Sequence, residues 1–160
     1  MSTRRLALIA ALAATVLAGC ATTSAPVSVA DTIARDPQLS TLNGLVQKAG
    51  MAEMLKAGGP YTVFAPTNDA FKAVSAKTMD ELSADPVRLK AVLAYHVVPA
   101  RLAADQVKNQ DVKTAQAANQ SLSKAGSYVT VEEAMVQTAD LDASNGVVHT
   151  IDRVLMPPRR

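Results

Sequence analysis

The chain has no tryptophan, three tyrosines, two phenylalanines and a single cysteine. A core with so little aromatic surface must be filled by Leu, Val, Ile and Met, and bases of a nucleic acid would find few rings to stack on. One cysteine excludes an internal disulfide. The two histidines stand in no His-x-His or His-x-x-x-His spacing and there is no Cys-x-x-Cys, so no metal centre is expected. No Gly-x-Ser-x-Gly elbow is present. Gly58-Gly59 leads into an extended segment rather than opening a helix, so it is not a phosphate loop. No cofactor is expected.

Charge of one sign is also missing. The 16 Lys+Arg exceed the 14 Asp+Glu by two, and those two are accounted for by Arg4 and Arg5. Everything beyond residue 19 is formally neutral, with no basic stripe before Arg159-Arg160, which argues against nucleic acid as a partner.

The N-terminus holds the one long apolar run, Leu6 to Leu17, broken only by Thr15. At about twelve residues it is too short for a helix across a bilayer, which needs about 20. It suits the apolar core of an export signal behind a cationic start. Leu17-Ala18-Gly19-Cys20 follows at once and resembles the lipobox of bacterial lipoproteins. That resemblance implies cleavage before Cys20 and lipid on its thiol; two or three acyl chains then hold a soluble domain firmly. Ala rather than Asp at position 21 favours the outer membrane, with the domain facing the periplasm or the exterior. The alternative is plain secretion, with an Ala-x-Ala-like cut after Val27-Ser28-Val29-Ala30. The expected division is a signal peptide over 1–19, a lipidated flexible tether over 20–30, one domain over 31–157 and a tail over 158–160.

Helix signals dominate the first half of the domain. Asp36-Pro37 sets an N-cap and first turn, and Leu39, Leu42, Val46 and Ala49 share one face. Gly50 stops that helix, and Met51–Ala57 forms another. Tyr61 to Ala65 reads as a strand closed by Pro66. Thr67 then caps a helix carrying Ala70, Phe71 and Val74. Thr78 with Glu81 predicts a capping box. Asp85-Pro86 opens a helix bearing Leu89, Val92, Leu93 and His96. From Val97 onward short β-branched segments take over, at 97–98, 112–114, 128–131, 135–138 and 147–155, while 103–126 resists assignment. Helices first and strands after predict an α+β domain.

Three blocks resemble the fasciclin-like domain family: Tyr61-Thr62-Val63-Phe64-Ala65-Pro66-Thr67-Asn68-Asp69-Ala70-Phe71, then Leu93-Ala94-Tyr95-His96-Val97-Val98-Pro99, then Asn145-Gly146-Val147-Val148-His149-Thr150-Ile151-Asp152 running on to Pro157. They keep the family's order and spacing. The resemblance implies N-terminal helices packed around a sandwich or wedge of short strands, and a role in adhesion or binding rather than catalysis. It also implies a candidate partner-binding surface at Tyr95-His96 and at Asp140-Leu141, where the family's Asp-Ile pair reads Asp-Leu.

Each block has a structural reading as well, and that reading leads. Thr67 and Asp69 satisfy and charge-complement a helix start, Asn68 lies between them, and Phe71 supplies core area. His96 continues an apolar helix face, so its ring should point inward and find a hydrogen bond. Asn145-Gly146 is a hairpin signal, with His149 and Asp152 in the strand beyond. Ser144, His149 and Asp152 could be drawn as a triad, as in almost any chain. The leading expectation is a noncatalytic membrane-anchored adhesion or binding module of a bacterial envelope, its partner an unknown protein or an envelope or extracellular polymer. A carrier of a small hydrophobic ligand, pigment or lipid, is the alternative, and a hydrolase using His96 or His149 comes last.

Overall fold

A computed structural model describes residues 27–158. Helices come first: α1 (Val29–Arg35), a 3-10 turn (Pro37–Leu39), α2 (Ser40–Lys48) and α3 (Ala52–Ala57). Strand β1 (Tyr61–Pro66) is followed by α4 (Asn68–Lys72), α5 (Ala76–Ala84) and α6 (Pro86–Tyr95). The remainder is β2 (Val97–Val98), β3 (Gln110–Lys113), β4 (Asn119–Ala125), β5 (Tyr128–Val131), β6 (Ala134–Ala143) and β7 (Gly146–Ile151). The strands make a barrel-like sheet in the order β2-β1-β7-β6-β5-β4-β3. The α+β expectation stands.

β1 and β7 are neighbouring interior strands and run parallel, Tyr61 against Gly146 through Pro66 against Ile151. Both faces of each are covered, which explains their nearly unbroken apolar runs. Because side chains alternate across a strand, Val63 and Ala65 enter a cluster under the helices with Ile33, Leu42 and Leu55. Phe64 points the other way, into a second cluster with Tyr95, Leu122, Val131, Ile151 and Leu155. Each such side chain contributes about 1.5–3 kcal/mol through burial.

Helix caps fall where the sequence places them, with one exception. Asp36 accepts from the Gln38 N–H, Thr67 from Ala70, and Asp85 from Val87 and Arg88. The expected capping box at Thr78 and Glu81 is displaced: Ser75 is the N-cap, and its hydroxyl accepts from the Thr78 N–H. Ser75 and Thr78 have the same spacing as the expected pair, and pattern alone could not rank the two starts.

Three boundaries also shift. A first helix that the sequence patterns did not announce begins at Val29, with Val29 and Ala30 buried, so ordered structure starts two residues before the expected domain start at Asp31. The unassigned stretch contains β4, whose burial alternates at Gln120 and Leu122. The last strand ends at Ile151, because Asp152 turns the chain: its N–H donates to the Met135 carbonyl and its carboxylate accepts from the Met135 N–H. No helix among the described residues is long and apolar enough to cross a membrane. Cys20 and the signal segment lie outside the described residues.

Candidate functional site

Residue Asp85 starts α6 and Pro86 fixes its first turn, so the helix runs Tyr95 and then His96 into the interior. Both are buried, at 1% and 2% exposure. Nε2 of His96 accepts from the Leu155 N–H at 3.0 Å. The ring proton therefore sits on Nδ1, which donates to the Val92 carbonyl at 2.8 Å. Burial pushes the pKa down from 6.5 to about 4, against the opposing pull of the Val92 bond. His96 is a neutral ring that ties α6 to the segment after β7.

Histidine 149 plays the same part on β7. Its Nδ1 accepts from the Asp140 N–H at 3.1 Å, so Nε2 carries the proton and donates to the Leu102 carbonyl at 2.8 Å. Burial lowers its pKa, while the Leu102 bond and the Asp140 carboxylate pull the other way. Phe64 joins the two rings' surroundings. It stacks on His149 with centroids 5.6 Å apart and 24° between planes, and its N–H donates to the His96 carbonyl. Each imidazole thus has both nitrogens committed to backbone groups. A ring so placed has no free lone pair for a metal and no mobile proton for a base. Neither Ser144 nor Asp152 is bonded to His149; Asp152 instead pins the start of β6.

Tyr95 sends its hydroxyl to the Asn119 carbonyl and to the Glu132 carboxylate. Burial raises its pKa, and the bond and charge of Glu132 raise it further. Glu132 holds a left-handed backbone (φ 53°) in the two-residue turn between β5 and β6, a conformation unfavourable to a side-chain-bearing residue. Asp140 is left-handed too (φ 58°), in a stretch where β6 slips register against β7. Its carboxylate accepts from the Ala104 N–H at 2.8 Å. Asp140 is exposed and Leu141 half-buried. The two expected partner-binding pairs are therefore not one patch: Asp140-Leu141 adjoins His149, and Tyr95-His96 lies beneath the 132–133 turn and the segment from Arg153.

The remaining motif residues serve the scaffold. Asn68 reaches across to α2, accepting from the Thr41 N–H at 3.0 Å and donating to the Pro37 carbonyl at 2.9 Å. Asp69 is exposed and pairs with Lys72 at 2.7 Å, and Phe71 is buried. Asn145 accepts from the Val29 N–H at 2.8 Å and donates to the carbonyls of Leu55 at 2.8 Å and Gly58 at 2.6 Å. One side chain thereby clasps α1, α3 and the approach to β1. Gly146 must lack a side chain, since a Cβ there would collide with the Tyr61 carbonyl of the neighbouring strand. Nothing in the sequence pointed to Glu132 as the partner of Tyr95, because the two are joined only by folding.

The family model described as Fasciclin domain matches residues 37–157. Protein sll1483 of Synechocystis sp. is 40% identical over 140 residues, 86% of this chain and 78% of its own. Transforming growth factor-beta-induced protein ig-h3 of Sus scrofa is 39% identical over 132 residues, and cell surface glycolipoprotein MPB83 of Mycobacterium bovis 33% over 135. These matches cover 82% and 81% of this chain, but 19% of the pig protein and 60% of the mycobacterial one. A FAS1 domain pair from the insect cell adhesion molecule Fasciclin I shares the fold, with a TM-score of 0.61 at 24% identity over 76% of this chain and 46% of that one.

Proposed function

The chain belongs to the fasciclin domain family, and from that premise we propose that it is a noncatalytic binding module of a bacterial envelope, held to the membrane by lipid on Cys20. The observation that carries the noncatalytic reading is the state of the two histidines, each neutral and bonded at both ring nitrogens to backbone groups. A general base or a metal ligand needs one of those nitrogens free. One relative, from Mycobacterium bovis, is named a cell surface glycolipoprotein, which supports that setting.

The lipid anchor gains support over plain secretion from the position of α1. A cut after Ala30 would remove buried Val29 and Ala30 and the Val29 N–H that bonds Asn145. A cut before Cys20 leaves all of these in place. Partner contact in this reading falls on what covers Tyr95 and His96, the Glu132-Glu133 turn and the Arg153–Met156 segment, and on exposed Asp140, rather than on the buried rings.

The test uses the full chain in intact cells. Crosslinking followed by mass spectrometry should capture a saturable envelope or extracellular partner, and the mature N-terminal peptide should begin with acylated Cys20. Cys20→Ser should release the protein from the membrane fraction. An unacylated N-terminus at Asp31 would refute the anchor, and turnover abolished by replacing either histidine would refute the noncatalytic reading.

A further inference from the structure

Strand β3 ends the sheet. It pairs with β4 alone, from Gln110 against Leu122 to Lys113 against Asn119. Its residues are exposed except Val112, which is half-buried against the second core cluster. An open edge carries unpaired N–H and C=O groups and accepts a further strand where nothing blunts it.

The register tells which groups are open, because alternate residues of an antiparallel pair make the ladder bonds. Continuing the β3–β4 register brings Thr114 opposite Ala118, and the Thr114 N–H donates to the Ala118 carbonyl at 2.9 Å. Val112 and Gln110 therefore bond to β4 as well, and Asp111 and Lys113 turn their N–H and C=O outward. Ala115, next in that series, agrees: its N–H donates away from β4, to the Val97 carbonyl at 2.7 Å. Ser121, opposite Asp111, agrees too, since its carbonyl accepts from the Glu132 N–H on the β5 side at 2.8 Å. Among the described residues nothing bonds to the outward backbone groups of Asp111 and Lys113.

We propose that this edge pairs with the same edge of a second copy, antiparallel about Val112, so that Asp111 of each copy meets Lys113 of the other. Three two-fold registers match outward groups. Centring on Asp111 sets Asp against Asp. Centring on Lys113 sets Lys against Lys and presents Asp111 to Ala115, which already serves Val97. Centring on Val112 sets unlike charges opposite each other twice, at positions that also exchange N–H···O=C bonds. Opposite charges across strands stabilise the pair and like charges oppose it. The contact is isologous and closes at two copies. Asp111 is prepared for it, since the Ser121 hydroxyl donates to Oδ1 at 2.6 Å and leaves Oδ2 for the lysine. So short an edge makes a weak contact in dilute solution, and the proposed anchor on Cys20 supplies the local concentration that it needs.

The test is disulfide trapping of the full chain in intact cells and, concentrated, in detergent solution, with the unmodified chain and its lone Cys20 setting the background. Val112→Cys should give a covalent dimer, because the Cα atoms of a non-hydrogen-bonded pair lie about 4.5 Å apart. Gln110→Cys should not, because that position is about 14 Å from its own copy in this register. In the Val112→Cys chain, Asp111→Lys or Lys113→Asp should each slow trapping about tenfold or more. Mixing those two chains, or combining both changes in one, restores unlike pairs and should restore the dimer, which also shows that the variants fold. A dimer in solution but not in cells upholds the edge and removes the anchor. No dimer in either setting, equal trapping by the like-charged variants, or a disulfide to a different protein would overturn the proposal.

Discussion

Acidification should destabilise this domain through His96. The folded ring has a pKa of about 4 against 6.5 for an unperturbed histidine. Between those values the unfolded chain binds the proton and the folded one does not, so stability is fully present above about pH 6.5 and falls as the pH drops toward about 4. At about 1.36 kcal/mol per unit, the full loss is about 3 kcal/mol, of which about 2 is gone by about pH 5. Protonation removes the acceptor at Nε2, and with it the bond from the Leu155 N–H that holds the segment after β7. His149, also lowered by burial, adds to the loss in the same direction. Urea unfolding followed by circular dichroism at about pH 7.5 and about pH 5 measures the difference. His96→Gln keeps a single amide that can reach Val92 or Leu155 but not both. It should cost about 1–3 kcal/mol at neutral pH and remove most of the pH dependence. If His96→Gln loses as much stability on acidification as the unmodified chain, the imidazole is not the titrating clip and the reasoning fails.

Four other substitutions probe the same scaffold. Asn145→Ala removes three bonds of 2.6–2.8 Å and should cost about 2–4 kcal/mol in urea unfolding, with early loss of amide-exchange protection in α1. Gly146→Ala drives a methyl into the Tyr61 carbonyl and should cost more than about 3 kcal/mol or abolish folding. Tyr95→Phe deprives Glu132 of its donor and should cost about 1–2 kcal/mol. In the unmodified chain, one of three tyrosines should resist ionisation in an alkaline absorbance titration until the fold is lost. Ala117→Gly relieves a left-handed alanine and should stabilise by about 0.5–1 kcal/mol, read as a higher urea midpoint with an unchanged slope.

Local grammar made much of the scaffold legible. Asp36-Pro37, Thr67 and Asp85-Pro86 announce helix starts by chemistry that acts within a few residues, and all three caps form as written. The inward ring of His96 follows from helical spacing behind Leu89, Val92 and Leu93. What the sequence could not disclose depends on partners brought together by folding. Glu132 meets Tyr95 across 37 residues, and Asn145 meets Val29 across 116. Asn145-Gly146 does mark the turn, but Ser144 and Asn145 are its loop residues and Gly146 already pairs with Ala143. The dipeptide sits one residue later than a two-residue Asn-Gly loop would place it, because the glycine is needed for its closeness to β1 as well as for the turn. β4 escaped because Asn119 to Ala125 has only Leu122 as a large apolar residue, and its other buried position is Gln120.

The Asn145 clasp also orients the proposed anchor. The Val27 carbonyl accepts from the Ser144 N–H at 2.8 Å, so the chain leading back toward Cys20 leaves the domain beside the β6–β7 turn. Val27 is seven positions after Cys20, a reach of at most about 25 Å. With lipid on Cys20, that turn and the adjoining Gly58-Gly59 loop are therefore held close to the membrane. The Arg153–Met156 segment begins past Ile151, at the other end of β7. Six residues of strand put it about 17 Å farther along. If Cys20 carries lipid, a tether of that reach would keep the domain near the membrane and would let the Glu132 turn and the Arg153–Met156 segment face away from it. Lengthening the tether with a Gly/Ser insert after Ala25 tests this. Crosslinks from the Gly58-Gly59 end to headgroups should fall steeply, and partner capture at the Arg153–Met156 end should persist. If capture is lost as the tether grows, the binding surface lies on the membrane side and this orientation is wrong.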